Sequence, residues 1–443
     1  MDREPNENGF AELASVPVGQ SLRSNFAWTF IGNVVYAASQ WGILVVLAKL
    51  GSPEIVGEFA LALAITAPVL IGAGLNLRSV QASDALRAHP FSHYLWLRLV
   101  TTTCALNTIG LIVLVSGYTA RTGLVVMIVA CAKAVEALSD IFYGGLQRHE
   151  RMTRIALSMI IKGILSLIVV ALGLYLTRDL VVACLALAFV WGLTLLFYDV
   201  PSGLAVASPV PKSSGEPPGA FAATSLLTPV PSAAALSALA GIALPVGIVM
   251  LLIALNGNAP RYFIERSVGV RELGIFAAMI YPMQAGTTVI AALGQSALPR
   301  LARFYASGDT GKFRALLFRM GGLALVVGCG GILIIWLAGE QILTVLYTRE
   351  YAGHKAVFLL LGCSAALGYA GAILGYGMTA ARYFRAQLPV FATVTLVTIV
   401  SSLIVIPRYR LAGAALVLIA AALVQCAGSI LVIRHALGKF RHE

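Results

Sequence analysis

The chain is organised around repeated apolar stretches that are each long enough to cross a lipid bilayer. A spanning helix needs about 20 mainly apolar residues, and twelve candidates can be read along the sequence. They begin near Phe26, Gly57, Leu95, Gly123, Ile155, Leu180, Gly247, Leu273, Leu316, Ala356, Leu388 and Leu411. Only 11% of the residues are charged, whereas a soluble domain carries roughly 25%. The pattern predicts an all-α polytopic membrane protein.

A segment rich in Pro, Ser, Ala and Gly separates the sixth stretch from the seventh. Residues 201–235 read PSGLAVASPVPKSSGEPPGAFAATSLLTPVPSAAA, a composition typical of a flexible linker. The sequence therefore predicts six helices within residues 26–200 and six more within residues 236–433. Polar tails are predicted at residues 1–25 and 434–443.

Lys and Arg are distributed unequally between the two sets of connections. The set that shares its side with the N-terminus holds roughly twice as many of them as the other set. Cytoplasmic loops carry this excess in membrane proteins, so both termini and the linker are predicted to be cytoplasmic. The net charge of +12 then reflects topology. No basic-aromatic module accompanies it, and we expect no nucleic-acid partner.

The two halves carry short matching segments in the same order. The segment LGSPEIVGEFALA (Leu50–Ala62) echoes VGVRELGIFAAM (Val268–Met279), and FSHYLWLR (Phe91–Arg98) matches FRALLFR (Phe313–Arg319). Internal repeats of this kind are common in transporters, where the substrate binds between the repeats.

Charged residues interrupt the fourth apolar stretch, which reads AKAVEALSDIFYGG at this point. At helical spacing Lys133, Glu136 and Asp140 lie on one face, and Lys162 belongs to a second polar stripe on the fifth stretch. A lone charge at mid-membrane costs about 2.5–3.5 kcal/mol on insertion scales. The stripes predict either an ion-pair network that locks the two helices, with Glu136 and Lys162 at one depth, or a cavity wall. In a cavity, Lys133 or Lys162 would meet an anionic head group and Glu136 or Asp140 would take up a coupling proton; lipid anchoring is a third possibility.

The seventh stretch contains LNGNAPRYFIER, in which Pro260 is predicted to break the helix locally. Asn256 and Asn258 could then bind the freed backbone groups. Arg261 could clamp a pyrophosphate bidentately. The alternative places Arg261 at the outer interface, paired with Glu265.

Further polar residues are candidates for the walls of such a cavity. Asn33, Tyr36 and Gln40 form one polar face on the first helix, which suits either helix–helix contact or a sugar-filled cavity. Arg78 and Arg300 end the second and eighth helices. They fit either positive-inside anchoring or the attraction of an anionic lipid head group.

Several segments resemble one family of membrane proteins. They are GQSALPRLARFYASGDTGKFRALL and AGEQILTVLYTREYAGHKAVFLLLG in the second half, with LGSPEIVGEF, GLNLRSVQASD and LSDIFYGGLQRHERM in the first. They are similar to polysaccharide-biosynthesis flippases of the multidrug/oligosaccharidyl-lipid/polysaccharide (MOP) exporter superfamily, which includes the Wzx-type O-antigen flippases. The resemblance implies two six-helix lobes with pseudo-two-fold symmetry around a central cavity that opens alternately to each side. Many relatives have fourteen helices, whereas this chain shows twelve.

The resemblance implies a transporter of the bacterial inner membrane. It would flip a polyprenyl-pyrophosphate-linked oligosaccharide, a polysaccharide or O-antigen precursor, from the cytoplasmic to the outer leaflet. Membrane lipids and polysaccharide-assembly proteins are the expected partners. One alternative is a drug or cation antiporter of the same superfamily, whose cavity should be acidic and aromatic. Others are a flippase for the peptidoglycan precursor and a membrane glycosyltransferase or polymerase. The short outer connections argue against an enzyme, and we expect neither a cofactor nor a metal.

Overall fold

Helices joined by short connections make up the computed structural model, which describes residues 22–84, 89–207, 230–381 and 383–438. The first half holds α1 (Leu22–Leu50), α2 (Pro53–Ala73), α3 (Phe91–Ser116), α4 (Ala120–Arg148), α5 (Met152–Thr177) and α6 (Leu180–Thr194). The second half holds α7 (Ala233–Ser267), α8 (Val270–Ala306), α9 (Thr310–Leu346) and α10 (Lys355–Ala380), followed by Phe384–Gly438.

The last helical stretch contains two antiparallel helices. Arg410, with φ 53° and ψ −129°, breaks Phe384–Gly438 into α11 before it and α12 after it. Gly413 lies against the Val405 carbonyl and Gly428 lies against Val390, so α12 runs back along α11. With this division, and with α6 counted together with the helical residues that continue it to Ala205, the described residues hold twelve helices of spanning length. The prediction of an all-α protein with about twelve spanning helices is confirmed.

Helices extend into both ends of the predicted linker. After α6 the chain passes through a π-helical turn, Leu195–Asp199, and continues as the helix Val200–Ala207. At the other side the Ser232 hydroxyl accepts a hydrogen bond from the Ala235 N–H at 3.2 Å, and this N-cap before an alanine run begins α7. Residues 208–229 of the predicted linker, most of the predicted N-terminal tail and residues 439–443 lie outside the described residues.

The apolar core joins the two halves at one end of the bundle. Around the α1–α2 and α7–α8 turns, Leu47 and Phe59 of the first half share one cluster with Leu273 and Tyr347 of the second. We call this the joined end. Tyr347 fixes the contact further, since its hydroxyl donates to the Ala278 carbonyl at 2.7 Å.

At the opposite end, which we call the tail end because α1 begins and α12 ends there, the cores are separate. One cluster surrounds Tyr94 and Phe142 and includes the start of α7. The other surrounds Phe313 and Met378 of the second half. One core thus spans both halves at the joined end, whereas at the tail end the halves keep separate cores and touch through the start of α7.

Two glycines mark a close approach between the halves. A Cβ atom on Gly57 of α2 would overlap the Val270 carbonyl of α8, and a Cβ atom on Gly274 of α8 would overlap the Pro53 carbonyl of α2. Each glycine thus faces the backbone at the start of the other helix. These residues lie in the first pair of matching sequence segments, so the repeat predicted from sequence coincides with a symmetric contact.

Candidate functional site

A cavity of about 400 Å³ lies within the first half and reaches Met250 of α7. Helices α1 to α5 and the connection after α2 supply the rest of its wall. The charged side chains that line it are Arg78, Arg98, Lys133, Glu136, Asp140 and Lys162. Four of these six are cations and two are carboxylates, so the wall carries an excess of positive charge at membrane depth.

One group of cavity residues is centred on Glu136 in the middle of α4. The Lys133 ammonium donates to its Oε2 atom at 2.8 Å, and the Tyr36 hydroxyl of α1 donates to its Oε1 atom. The Lys133 ammonium also lies 5.0 Å from the centroid of the Trp191 ring. Side chains 133 and 136 keep 25% and 31% of their surface exposed. A ligand in the cavity can therefore reach both charges.

A second group is centred on Asp140, one turn further along α4. Its Oδ1 atom accepts from Nη1 of Arg78 at 3.1 Å, and its Oδ2 atom lies 3.6 Å from Nη2 of Arg98. Gln147 accepts from Nε of Arg78 at 3.2 Å and so holds that guanidinium in place. One carboxylate thus faces two arginines, and this group carries a net positive charge.

A third group is centred on Lys162, which lines the cavity but is almost fully buried. The Lys162 ammonium and the Asp199 carboxylate are 2.7 Å apart, and their side chains are 2% and 1% exposed. The ammonium also donates to Ser139 at 2.5 Å and to Tyr143 at 3.1 Å. Ser158 donates to the second carboxylate oxygen at 2.5 Å. Because a buried ion pair needs such extra hydrogen bonds to offset its desolvation, the hydroxyls complete the pair.

The structure brings together half of the candidate residues chosen from sequence. Six of them line the cavity: Tyr36, Arg78, Lys133, Glu136, Asp140 and Lys162. Six do not line it: Asn33, Gln40, Asn256, Asn258, Arg261 and Arg300. Asn33 is exposed and donates to the Thr29 carbonyl of its own helix at 2.7 Å. Arg300 is exposed near the tail end of α8.

The predicted break at Pro260 is absent, because α7 runs through this residue without a non-helical φ/ψ pair. Proline lacks the N–H that would bond the carbonyl of Asn256, but neighbouring helices and polar side chains compensate such losses in a bundle. Thr398 of α11 donates to the Asn256 side chain. Arg261 donates to Asn258 at 3.0 Å, so the expected partner at Glu265 is replaced by the residue three positions earlier.

Glu136 and Lys162, predicted to lie at one depth, take different ion-pair partners. Lys162 turns to Asp199 of the π-helical turn, and Glu136 pairs with Lys133 on its own helix. Buried charges take the partner that offers the most hydrogen bonds, and depth in the membrane alone does not decide which partner that is.

Three residues of the site were missed by the sequence analysis. Arg98 ends the repeat segment FSHYLWLR, and Tyr143 lies in the charged segment AKAVEALSDIFYGG. Asp199 lies at the predicted end of the sixth helix. The available signal for Asp199 was an acidic residue directly after the apolar run WGLTLLFY. Intramembrane acids of this kind need a partner, and Lys162 was an available cation.

Known proteins resemble this chain in sequence and in fold. No protein-family model matches the chain. The capsular polysaccharide biosynthesis protein CapF of Staphylococcus aureus is 26% identical over 405 residues, which is 88% of this chain and 94% of CapF. The lipid II flippase MurJ in its inward closed conformation superposes with a TM-score of 0.72 at 12% identity, covering 93% of this chain and 89% of MurJ. The chain has the fold of this flippase.

A second solved structure supports the same assignment. The inward-facing multidrug resistance MATE transporter of the MOP superfamily superposes with a TM-score of 0.64 at 15% identity, covering 96% of each chain. The resemblance read from the sequence is therefore confirmed. The six charged residues and Asp199 belong to the half of this MOP fold that precedes α7.

Proposed function

We propose that this protein flips a polyprenyl-pyrophosphate-linked oligosaccharide from the cytoplasmic to the outer leaflet of the bacterial inner membrane. The observation that carries the proposal is the charge of the cavity. With Lys162 neutralised by the buried Asp199, the three cations Arg78, Arg98 and Lys133 face the two carboxylates of Glu136 and Asp140. The pyrophosphate is the part of such a substrate that cannot cross hydrocarbon unaided. A cationic drug would be repelled by the same wall.

The relatives favour this substrate class over other anions. CapF is named for capsular polysaccharide biosynthesis, and MurJ is named as a lipid II flippase. A peptidoglycan precursor is the alternative substrate and differs in the attached sugar. We infer that polysaccharide-assembly proteins supply and remove the substrate, and that no chemical step occurs on this chain.

The open end of the bundle suits loading from the cytoplasm. The halves share one core at the joined end and keep separate cores at the tail end, which the Lys and Arg distribution predicts to be cytoplasmic. Arg78 and Lys133 would bind the pyrophosphate, Tyr36 would contact sugar, and Glu136 would serve in ion coupling. Arg300, exposed at the tail end, would attract the head group before it enters.

The remaining candidates, which face other directions in this conformation, fit a later state. The wall of the cavity would include Asn256, Asn258 and Arg261 of α7 when the tail end closes. It would then also include Asn33 and Gln40 of α1. Alternating access requires that the two halves expose different residues in different states.

Transport in proteoliposomes tests the proposal. We expect protein-dependent flipping of a fluorescent polyprenyl-pyrophosphate oligosaccharide, and Lys133→Ala or Arg78→Ala should slow it about tenfold or more, because each removes a charge-assisted hydrogen bond of about 1.5–3 kcal/mol. Lys312→Ala is the matched control, since Lys312 is exposed at the start of α9. All variants are first compared by gel filtration.

Two outcomes would contradict the proposal. Export of a cationic dye, together with no flipping of the glycan lipid by the wild type, would favour the drug antiporter. Flipping that both cavity variants retain at the wild-type rate would keep the activity and remove the cavity from it.

A further inference from the structure

We propose that Asp140 is an internal substitute for the phosphate of the substrate. Arg78 and Arg98 would form a two-arginine site for a diphosphate group, and Asp140 would occupy it when the cavity is empty. The inference rests on the proposed function for the identity of the lipid, but its anion site can be tested separately.

The first observation is the geometry around the carboxylate. Each oxygen of Asp140 faces a different guanidinium, at 3.1 Å from Arg78 and 3.6 Å from Arg98. Two arginines share one unit of negative charge, although each arginine could bind a carboxylate or phosphate bidentately by itself. The site is therefore built for more acceptor oxygens and more negative charge than Asp140 supplies.

The second observation concerns Arg98, whose side chain is 4% exposed. Its Nε atom has no hydrogen-bond partner among the described residues, and its separation from Asp140 exceeds hydrogen-bond range. A buried guanidinium with unused donors is costly unless a ligand or water satisfies it. Because Arg98 lines the cavity, an anion that enters the cavity would meet this guanidinium.

Both arginines are held in position without the carboxylate. Gln147 accepts from Arg78 Nε at 3.2 Å. The Arg98 Nη1 atom fits against Gly74 at the end of α2, where an added Cβ atom would lie 2.7 Å away. Asp140 is 33% exposed, and its printed hydrogen bond is to Arg78 itself, so it can turn away while Gln147 and Gly74 still contact the arginines. A diphosphate could then replace the carboxylate without leaving either arginine unpaired.

Competition by Asp140 would also select the ligand. A single carboxylate or a phosphodiester carries one negative charge and gains little by displacing another carboxylate. A diphosphate brings more charge and more oxygens to the same two guanidinium groups. The internal carboxylate would thus exclude ordinary phospholipid head groups and admit the diphosphate of a lipid-linked sugar.

The test is calorimetric binding of inorganic pyrophosphate to the full-length protein in a non-ionic detergent. We expect Asp140→Asn to bind pyrophosphate about tenfold or more tightly than the wild type, because removing the internal competitor frees two charge-assisted contacts. Arg78→Gln should weaken binding by a similar factor, and this partly exposed residue is a substitution that the fold tolerates. Glu340→Gln is the matched control, since Glu340 is an exposed carboxylate paired with Lys355 on another part of the surface.

Further arms identify the source of the phosphate. A polyprenyl-pyrophosphate oligosaccharide should displace pyrophosphate, whereas phosphatidylglycerol and orthophosphate should not. Displacement by phosphatidylglycerol would overturn the selection argument, and equal affinity of Asp140→Asn and wild type would overturn the inference itself. If flipping occurs but Asp140→Asn binds pyrophosphate with the affinity of the wild type, only the inference fails. If pyrophosphate binds as expected but the glycan lipid is not flipped, the anion site stands and the proposed function fails.

Discussion

Replacing Lys162 with alanine is expected to lower the free energy of unfolding by about 3–5 kcal/mol, because the variant leaves the Asp199 carboxylate buried without its cation. The two side chains are 2% and 1% exposed, and their charged atoms lie 2.7 Å apart. The hydroxyls of Ser139 and Tyr143 then lose the donor that they accept from. Unfolding in mixed micelles by increasing fractions of sodium dodecyl sulfate measures the change.

Two controls separate the ion pair from the general effect of removing a lysine. Lys133→Ala removes the same side chain from the same cavity, but Lys133 is a quarter exposed and should cost no more than about 1 kcal/mol. The double variant Lys162→Met with Asp199→Leu should recover most of the stability, since well-packed apolar replacements of buried pairs are often neutral. A double variant as unstable as Lys162→Ala would show that the pair is not the source of the loss.

This prediction separates two uses of charge that the sequence presented as alternatives. The buried pair of Lys162 and Asp199 joins α5 to the π-helical turn and has little surface left for a ligand. The pair of Lys133 and Glu136 keeps its charges at the cavity surface. The two stripes therefore differ in use: Lys162 supports helix packing, and Lys133 stays available to a ligand.

Sequence reasoning recovered the features that depend on length and periodicity. Twelve apolar stretches predicted the helices, because the thickness of the bilayer sets their length whatever their neighbours are. The side-chain period of a helix placed Lys133, Glu136 and Asp140 on one face, and all three line the cavity. Both predictions require only local geometry.

The features that sequence reasoning missed depend on tertiary contacts. Lys162 had several acids within reach by depth, and only packing of the π-helical turn decided for Asp199. Pro260 was predicted to break α7, but a proline in a spanning helix breaks it only where the surroundings fail to compensate the lost bond. Arg98 lay in an otherwise apolar segment, and its direction toward the cavity follows from the packing of α3.

Replacing Gly57 with alanine is expected to open the joined end. The added methyl group would overlap the Val270 carbonyl, and backbone atoms of two packed helices cannot move aside as a flexible side chain can. The state in which α2 and α8 touch should therefore lose population. Gly274→Ala should act in the same way, because that glycine faces the Pro53 carbonyl from the other half. Flipping should fall about tenfold or more, since alternating access needs both closed states.

Spin labels at Leu176 and Tyr409 measure the opening. Both residues are exposed near the joined end, on α5 of the first half and α11 of the second. In a background with the six cysteines replaced, pulsed electron paramagnetic resonance should show a longer mean distance in Gly57→Ala than in the parent. Gly331→Ala is the control, because a Cβ atom there meets nothing within 4 Å. An unchanged distance in both Gly57→Ala and Gly274→Ala would mean that the helices separate elsewhere. The contact between the two glycines would then serve packing alone, with no part in the transport cycle.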